Sequence, residues 1–271
     1  MLNFRKMHGL GNDFVILDRR NDSFDLSAEQ ITKICDRHFG VGCDLLAVLE
    51  DSEAADIRAL FFNADGSSSS ACGNATRCIA DIILNETGKD RCTIETGRGA
   101  LKAWRADDNM VTVDMGAPKL GWQDIPLAEE RDTLMLTLSE QSSSPAVAVN
   151  MGNPHCVLFV DDVNAAPVEL LGQKIEHMPL FPERTNVEFV QVLEDGRLRQ
   201  RTWERGVGET LACGSGACAV GVAAMRRDLV DASKVEIILN GGSLFIEWAG
   251  EGQPVLMTGP YTYVFEGQID V

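Results

Sequence analysis

Short runs of β-branched and aromatic residues recur along the whole chain. Pairs such as Asp65-Gly66, Asp195-Gly196 and Gly241-Gly242 separate many of these runs, and such pairs commonly connect strands. The pattern therefore predicts many short strands. The runs cover residues 14–18, 57–63, 111–114, 146–150, 156–160, 186–192, 198–203, 235–239 and 244–248.

Three segments have helical periodicity instead. Ser27 and Gln30 have the spacing of a capping box, which predicts a helix that continues to about Cys35. A second helix is predicted after Cys72, where apolar residues recur at spacings of three and four. The third covers residues 213–226 and consists almost entirely of small and apolar residues. A helix that is apolar on every side is expected in a protein core.

Two short motifs occur twice in the chain, with the same separation. Gly11-Asn12 is repeated as Gly152-Asn153, and Ala71-Cys72-Gly73 is repeated as Ala212-Cys213-Gly214, in both cases 141 residues further on. A single match has little weight, whereas a shared offset indicates an internal duplication. Each copy would occupy about half of the chain.

We therefore predict an α/β protein (α+β) with two pseudo-symmetric halves. Each half is expected to be a curled, mostly antiparallel, barrel-like sheet around one central helix. The first half comprises residues 1–116 together with 262–271 and carries Cys72, and the second comprises residues 117–261 and carries Cys213. Because ligand clefts commonly lie between such halves, the active site is expected in the cleft between them.

Composition and charge exclude several classes of partner. Hydrophobic residues are 45% of the chain and charged residues 24%, which is globular composition. The net charge of -17 repels phosphate backbones and anionic lipids, so no nucleic acid and no membrane are expected as partners. No apolar run has the length of a membrane span, and residues 1–14 do not resemble a signal peptide. A cytoplasmic protein is therefore the expectation.

The eight cysteines are expected to be reduced thiols, because the chain is long and shows no export signal. Most of them should be small buried residues. Their spacing also argues against structural zinc, since there is no C-x-x-C pair and no cysteine–histidine cluster with ligand spacing. No metal site is therefore expected.

Cys72 and Cys213 differ from the other cysteines, because each precedes a glycine at the start of a predicted helix. Amides at a helix start and the positive end of the helix dipole lower the pKa of a thiol, so we expect the thiolate to be favoured. The amides that follow Gly73 and Gly214 are suited to bind a carboxylate. The alternative is a pair of Cys-Gly turns with inert thiols.

Two thiols on opposite faces of one small ligand suit a specific reaction. One thiolate removes a proton from a carbon on one face, and the opposite thiol returns a proton to the other face. Amides around the carboxylate stabilise the carbanion that forms. This chemistry inverts a stereocentre without a cofactor.

Further polar residues accompany the two thiols. Glu204 and Arg205 are suited to hold an amino group and a carboxylate, the latter through the bidentate guanidinium, although a surface ion pair is the alternative. His155 follows the second Gly-Asn and either adjusts a nearby thiol or is a structural histidine. Asn63 and Glu204 each lie nine residues before a Cys-Gly. The remaining members are Asn12, Asn74, Asn153, Asn186 and Ser215.

Longer motifs, in order along the chain, contain most of these residues. They are His8-Gly-Leu-Gly-Asn-Asp-Phe14, Phe62-Asn-Ala-Asp-Gly66, Cys72-Gly-Asn74, Met151-Gly-Asn-Pro-His-Cys156, Phe181-Pro-Glu-Arg-Thr-Asn186, Glu204-Arg-Gly206 and Gly208-Glu-Thr-Leu-Ala-Cys-Gly-Ser-Gly-Ala-Cys218. Together they closely resemble the diaminopimelate epimerase family, and the likeness extends over nearly the whole chain. The resemblance implies an isomerase that interconverts LL- and meso-diaminopimelate without a cofactor, on the route to lysine and peptidoglycan. It also implies two α/β halves and a homodimer.

The resemblance further implies a role for each matching residue. Cys72 and Cys213 become the two acid/base thiols, and His155 and Glu204 adjust their pKa values. The reacting carboxylate is placed on Gly73-Asn74 and Gly214-Ser215. The rest of the substrate, chiefly its distal end, is placed against Asn12, Asn63, Asn153, Asn186, Glu204 and Arg205. A shorter substrate would leave these polar groups without partners, which explains the choice of diaminopimelate.

Two positions depart from the family pattern. Leu45 stands where the family normally has glutamine, and the 141-residue offset maps it onto Asn186. Leucine cannot form hydrogen bonds, so either this position only packs, or affinity or substrate choice has shifted. Ala75-Thr76 stands where Gly-Ala is common, and an alanine in the first helical turn favours the helix slightly.

Four other functions fit the sequence less well. A two-thiol racemase for proline or hydroxyproline would have no distal group for Asn63, Asn186 and Arg205 to hold. A fold relative that isomerises another metabolite with a carboxylate base would not need paired Cys-Gly motifs. An amino-acid-binding protein without catalysis would not need both thiols. A thiol redox protein would need a functional disulfide, whereas a bond between Cys72 and Cys213 is expected to abolish isomerase activity.

Overall fold

The chain folds into two compact units. Unit 1 comprises Met1–Asp114 and Thr258–Val271, and unit 2 comprises Met115–Met257. The computed structural model describes residues 1–107, 109–138, 144–230 and 233–270.

Strands and helices follow one another in the same order in both units. Up to residue 114 the elements are β1 (Leu2–Gly9), β2 (Asn12–Asp18), α1 (Ala28–Cys35), β3 (Leu45–Glu50), β4 (Ile57–Asn63), β5 (Ser68–Ser69), α2 (Gly73–Thr87), β6 (Arg91–Thr96), β7 (Gly99–Arg105) and β8 (Met110–Asp114). They are followed by β9 (Val147–Asn150), β10 (Pro154–Phe159), α3 (Val168–Glu176), β11 (Asn186–Val192), β12 (Leu198–Glu204), β13 (Gly208–Thr210), α4 (Gly214–Arg226), β14 (Lys234–Leu239), β15 (Gly242–Trp248), β16 (Val255–Pro260) and β17 (Thr262–Ile269). The last strand, β17, belongs to unit 1.

Strand pairing is equivalent in the two units. In unit 1, β1–β2 and β3–β4 are antiparallel, whereas β2–β3 and β4–β6 are parallel. In unit 2, β9–β10 and β11–β12 are antiparallel, whereas β10–β11 and β12–β14 are parallel. The register is also the same, since Phe14 pairs with Leu45 in unit 1 and His155 pairs with Asn186 in unit 2. The 141-residue offset therefore relates the backbones as well as the motifs.

One helix lies in the core of each unit. In unit 1, α2 packs against β1, β2, β6, β7 and β8, and every residue from 74 to 84 is buried. In unit 2, α4 packs against β9, β10, β11, β14 and β15, and every residue from 216 to 224 is buried. Because one helix contacts so many strands, each sheet curls around it. The predicted α/β class, with two similar halves and a central helix in each, is confirmed. Within the described ranges, no helix combines the length and the apolar character that a membrane span requires.

A second helix covers the other face of part of each sheet. In unit 1, Ile31 and Ile34 of α1 pack in one buried cluster with residues of β2 and β3. This helix begins with the predicted capping box, in which Ser27 N–H donates to Gln30 Oε1 at 2.9 Å and Gln30 N–H donates to Ser27 Oγ at 3.2 Å. In unit 2, α3 packs in the same way against β10 and β11. The strands that lie between the two helices of each unit are thus covered on both faces.

Candidate active site

Cys72 begins the central helix of unit 1. It is the N-cap of α2, with an extended backbone (φ -143°, ψ 110°), and its carbonyl accepts the helical hydrogen bond from Thr76 N–H at 2.9 Å. Its half-buried thiol lies 3.8 Å from Asn12 Oδ1. Asn74 Nδ2 donates to the same oxygen at 3.2 Å. The structure thus brings together three of the predicted site residues in unit 1.

The side-chain amides of Asn12 and Asn74 are held by charged residues. Asn12 Nδ2 donates to Asp44 Oδ2 at 3.0 Å, and Arg37 Nη2 donates to Asp44 Oδ1 at 2.7 Å. Arg77, which is fully buried, donates from Nη1 to Asn74 Oδ1 at 3.0 Å. A carboxylate can only accept and a guanidinium can only donate, so neither amide can turn over without losing a bond. The oxygen of Asn12 is therefore held toward the thiol at the start of α2.

Asp13 accepts hydrogen bonds from two cations beside this group. Arg37 Nη2 donates to Asp13 Oδ1 at 2.7 Å, and Lys6 Nζ donates to Oδ2. Burial raises the pKa of Asp13, but the hydrogen bonds from Arg37 and Lys6 outweigh burial and lower the pKa to about 2. Asp13 Oδ1 also accepts from Asp44 N–H at 3.1 Å. This ion-pair group therefore supports the loop that carries Asp44.

Lowering the pH from about 4 to 2 is expected to remove about 2 kcal/mol from the free energy of unfolding through Asp13. The pKa of this carboxyl is lower in the folded chain than the ordinary value of 3.8. Its stabilisation is therefore complete above the unfolded value and is lost as the pH falls through the folded value. Urea unfolding of the wild type and of Asp13→Asn, from about pH 5 to 2, measures the difference. The exposed Asp22→Asn is the control, and equal pH slopes for D13N and the wild type would contradict the expectation.

Cys213 has the equivalent position in unit 2. It is the N-cap of α4, and its Sγ accepts a hydrogen bond from Gly216 N–H at 3.3 Å. Ser215 Oγ lies 3.6 Å from the same sulfur. Gly73 and Gly214 are the first residues of the two central helices. Both predicted carboxylate-binding segments therefore lie where a helix presents its first amides next to a thiol.

The expectation of a lowered thiol pKa is wrong for Cys213. Burial raises the pKa of Cys213 well above its ordinary value, and Glu204 and Glu188 raise it further. Hydrogen bonds from Ser215 and Gly216 lower it, but they do not offset these causes. Desolvation disfavours the charged form of any thiol, so the thiol form is favoured at this helix start.

His155 lies between a carboxylate and an amide in the interior of unit 2. Its Nδ1 is 2.7 Å from Glu188 Oε1, and both side chains are 0% exposed. Its Nε2 is 3.0 Å from Asn153 Oδ1. The structure thus brings together His155 and Asn153, which are both predicted site residues. Sequence reasoning missed Glu188, whose one signal is a charged residue in the middle of the apolar strand β11.

Asn186 is buried, and both polar atoms of its side chain have protein partners. Its Nδ2 donates to Pro154 O at 2.9 Å, and its Oδ1 accepts from Arg205 N–H at 2.9 Å. The Arg205 side chain is exposed, and its Nη1 donates to Glu183 O at 3.0 Å. Asn186 therefore positions the backbone at Arg205. The sequence motif did not indicate this structural role.

Asn63 and Glu204 end the equivalent strands β4 and β12. Asn63 Nδ2 donates to Ser67 Oγ at 2.9 Å, and Glu204 Oε1 accepts from Thr210 Oγ1 at 2.5 Å. Leu45 pairs with Asn63 across β3 and β4 and is 7% exposed. Leu45 is thus a packed residue beside a polar one, whereas its counterpart in unit 2 is a hydrogen-bonded asparagine.

Across residues 1–107, 109–138, 144–230 and 233–270, no three or more His, Cys, Asp and Glu side chains are grouped so as to hold a metal ion.

The chain is similar to proteins of one known family over nearly its whole length. A family model described as diaminopimelate epimerase matches residues 4–121 and 147–264, so that it covers both copies of the repeat. A protein of that name from Acidiphilium cryptum is 51% identical over 267 residues, which are 98% of this chain and 96% of the relative. The chain belongs to the diaminopimelate epimerase family. A family member from Aromatoleum aromaticum is 48% identical over 275 residues, with 100% and 99% of the two chains covered. The protein is accordingly an isomerase of the epimerase type.

Solved structures at lower identity share the fold of this family. A structure described as a predicted epimerase from Pseudomonas aeruginosa has a TM-score of 0.70 at 18% identity, and covers 99% of each chain. A hydroxyproline epimerase from Agrobacterium vitis has a TM-score of 0.68 at 15% identity, and covers 98% of this chain and 91% of its own. A phenazine biosynthesis protein of the PhzF family from Bacillus anthracis has a TM-score of 0.70 at 18% identity, with 100% and 99% covered. At these identities the likeness shows the fold alone.

Proposed function

We propose that this protein interconverts LL- and meso-diaminopimelate by proton transfer at one α-carbon, without a cofactor, as a step of lysine biosynthesis. The relatives at 51% and 48% identity, which are named for this activity, support the substrate. The observation that carries the mechanism is the pair of thiols. Cys72 and Cys213 are the N-caps of the two central helices, at equivalent positions of a duplicated fold.

The two thiols have different tasks in the free enzyme under this proposal. Burial, together with Glu204 and Glu188, raises the pKa of Cys213, which favours Cys213 as the proton donor and leaves Cys72 as the base. Cys72 takes the α-proton, and Cys213 gives its proton to the opposite face of the carbon. The enzyme then holds a thiol at Cys72 and a thiolate at Cys213, which is the form that acts on the other epimer.

The remaining predicted residues bind and orient the substrate in this proposal. Amides at the two helix starts stabilise the negative charge that develops at the carboxylate. His155 and Glu204 adjust the thiols, and Asn12 is held with its oxygen toward one of them. The carboxylate-binding segments are Gly73-Asn74 and Gly214-Ser215, and the distal contacts are Asn12, Asn63, Asn153, Asn186, Glu204 and Arg205.

The proposal is tested by incubating fully reduced protein with LL-diaminopimelate in D2O, with no added cofactor, and following the reaction by NMR. Conversion to the meso form with deuterium at one α-carbon is the expected result. Proline and trans-4-hydroxyproline are tried in parallel. Exchange of either one, with no reaction of diaminopimelate, would contradict the proposed substrate and make Leu45 the first residue to replace.

We also propose that the protein is a cytoplasmic homodimer that forms through β17. This strand pairs with β1, and it carries Tyr263, Val264 and Phe265, which are 46% to 49% exposed. A second copy of the same apolar strand is a self-complementary partner. Light scattering is expected to give twice the mass of 29.5 kDa, and Val264→Asp is expected to give the single mass. Val192→Asp in unit 2 is the control, and a monomeric wild type would contradict the dimer.

A further inference from the structure

Unit 2 contains a buried polar cluster that unit 1 lacks. Four polar side chains, each no more than 2% exposed, lie on three adjacent strands of unit 2. The residues at equivalent register positions of unit 1 are apolar and equally buried. The polar residues are His155, Glu188, Gln200 and Thr202, and their apolar counterparts are Phe14, Ala47, Ala59 and Phe61.

This difference shows that the fold does not need polar groups at these positions. A buried carboxylate is costly unless hydrogen bonds compensate for its lost hydration. Glu188 Oε2 and Gln200 Oε1 are buried and have no hydrogen-bond partner among the residues that the structure describes. Unit 1 builds the same backbone with phenylalanine and alanine, which carry no such cost. The polar cluster in unit 2 therefore has a purpose other than stability.

The cluster lies directly against the start of α4. A Cβ atom added to Gly216 would lie 2.8 Å from Glu188 Oε1, 3.2 Å from Gln200 Nε2 and 3.2 Å from Cys213 Sγ. The carboxylate and the thiol thus both lie close to the position that a side chain at residue 216 would occupy. The equivalent residue of unit 1 is Ala75, and the counterparts of Glu188 and Gln200 are the small residues Ala47 and Ala59. The alanine that departs from the family pattern is therefore compatible with unit 1, whereas Gly216 leaves room that the polar cluster requires.

We propose that Glu188 is a positioning residue for the Cys213 half of the active site, an inference that rests on the proposed function. His155 donates from Nδ1 to Glu188 Oε1, and it donates a second ring proton from Nε2 to Asn153 Oδ1. The amide of Asn153 is thereby held in one orientation, as Asp44 and Asn74 hold its counterpart Asn12 in unit 1. The Glu188 carboxylate also faces Cys213, and its negative charge favours the protonated form of that thiol. Cys213 therefore retains its proton until the substrate carbanion accepts it.

The titratable groups that face this site come from four elements. His155 on β10 meets Glu188 on β11, Cys213 starts α4, and Glu204 ends β12. Burial raises the pKa of Cys213, and the charges of Glu204 and Glu188 add to that effect. Cys156 on β10 also has its pKa raised, first by burial and then by Glu188. A change of charge at Glu188 is therefore expected to alter the pKa of both Cys213 and Cys156. Of these two thiols, only Cys213 is at a helix start.

The experiment compares Glu188→Gln and Glu188→Ala with the wild type and with the exposed control Glu247→Gln. Glutamine keeps a hydrogen-bond acceptor for His155 but removes the charge, and alanine removes both. Three quantities are measured: kcat and KM with LL-diaminopimelate, the pH dependence of iodoacetamide alkylation at Cys213 and Cys72 by mass spectrometry, and the nitrogen-15 NMR signals of the His155 ring.

E188Q is expected to lower kcat by about tenfold or more, with little change in KM. It should also move the alkylation midpoint of Cys213 by about 1 pH unit to lower pH, because a negative neighbour is gone. Alkylation of Cys72 in the same sample is the internal reference. E188A is expected in addition to raise KM, because Asn153 is no longer held, and to remove the protected Nδ1–H signal of His155. E247Q should match the wild type in every measurement.

Two outcomes would overturn the proposal. The first is an E188Q protein with wild-type kcat and an unshifted alkylation midpoint at Cys213. The second is a nitrogen-15 NMR spectrum of the wild type in which His155 Nδ1 carries no proton. This measurement does not depend on the folding of any variant. If the wild type itself does not epimerise diaminopimelate, the proposed function fails, but the alkylation and NMR measurements still decide whether Glu188 acts on Cys213 and His155.

Discussion

Replacing Cys72 or Cys213 by serine is expected to lower turnover of diaminopimelate by about two to four orders of magnitude. A serine hydroxyl is a far weaker acid than a thiol, so it can neither form the base nor give up a proton readily. The expected losses are similar for the two variants, because each turnover uses one thiol as base and the other as acid. Steady-state rates in both directions measure the effect.

Deuterium exchange at the substrate α-carbon distinguishes the roles of the two cysteines better than the steady-state rate does. In Cys213→Ser, Cys72 remains able to remove the α-proton on its own face, so deuterium should enter one epimer without conversion to the other. In Cys72→Ser, the other epimer should exchange. Cys92→Ala, which alters a buried cysteine in β6, is the control and should retain wild-type turnover. Near wild-type rates in either serine variant would exclude a mechanism with two thiols.

Replacing Arg77 by methionine is expected to lower the free energy of unfolding by about 2–5 kcal/mol. Methionine fills much of the volume of arginine but donates no hydrogen bonds. Asn74 Oδ1 and Pro260 O, which accept from Arg77 at 3.0 Å and 3.2 Å, would then lie in the interior without this donor. The Asn74 amide would also be able to turn over, so that Asn12 loses one of the groups that hold it. Urea unfolding and KM measure the two effects.

Unit 2 offers a matched control for this prediction. Cys218 has the position in α4 that Arg77 has in α2, and it is equally buried. Cys218→Ala removes one buried sulfur atom and is expected to cost about 1 kcal/mol. If R77M were as stable as the wild type and bound its substrate equally well, the hydrogen bonds of Arg77 would not determine the geometry at Asn74.

Local signals in the sequence predicted several elements with their bounds. The capping box at Ser27 begins α1 as expected, and the strands at 57–63 and 186–192 have the predicted limits. These segments have signals that depend on their own residues. β3 was missed because its first five residues are all buried, and a continuous apolar run does not distinguish a strand from a buried helix. The helix α3 was missed because its N-cap, Pro167, makes no side-chain cap hydrogen bond.

The chemistry of the site was predicted less completely than its residues. Sequence motifs placed Cys213 at a helix start, but they did not show its burial or the proximity of Glu188 on another strand. Burial reverses the expected direction of the pKa change at that thiol. Arg77 and Asp44 were missed for a related reason, since their importance depends on which amides they contact. Such pairings are set by strand register and are not visible in a single motif.

The placement of β17 has a consequence for the order in which the protein is made. Residues 115–257 form unit 2 as one continuous stretch, whereas unit 1 needs residues from both ends of the chain. During synthesis, unit 2 can therefore fold while β1 still lacks the strand that pairs with it. Unit 1 is completed only after residues 258–271 have been synthesised. Cys72 is synthesised before Cys213, but it belongs to the unit that finishes folding last. A chain that lacks β17 would leave one edge of β1 unpaired and exposed to other nascent chains.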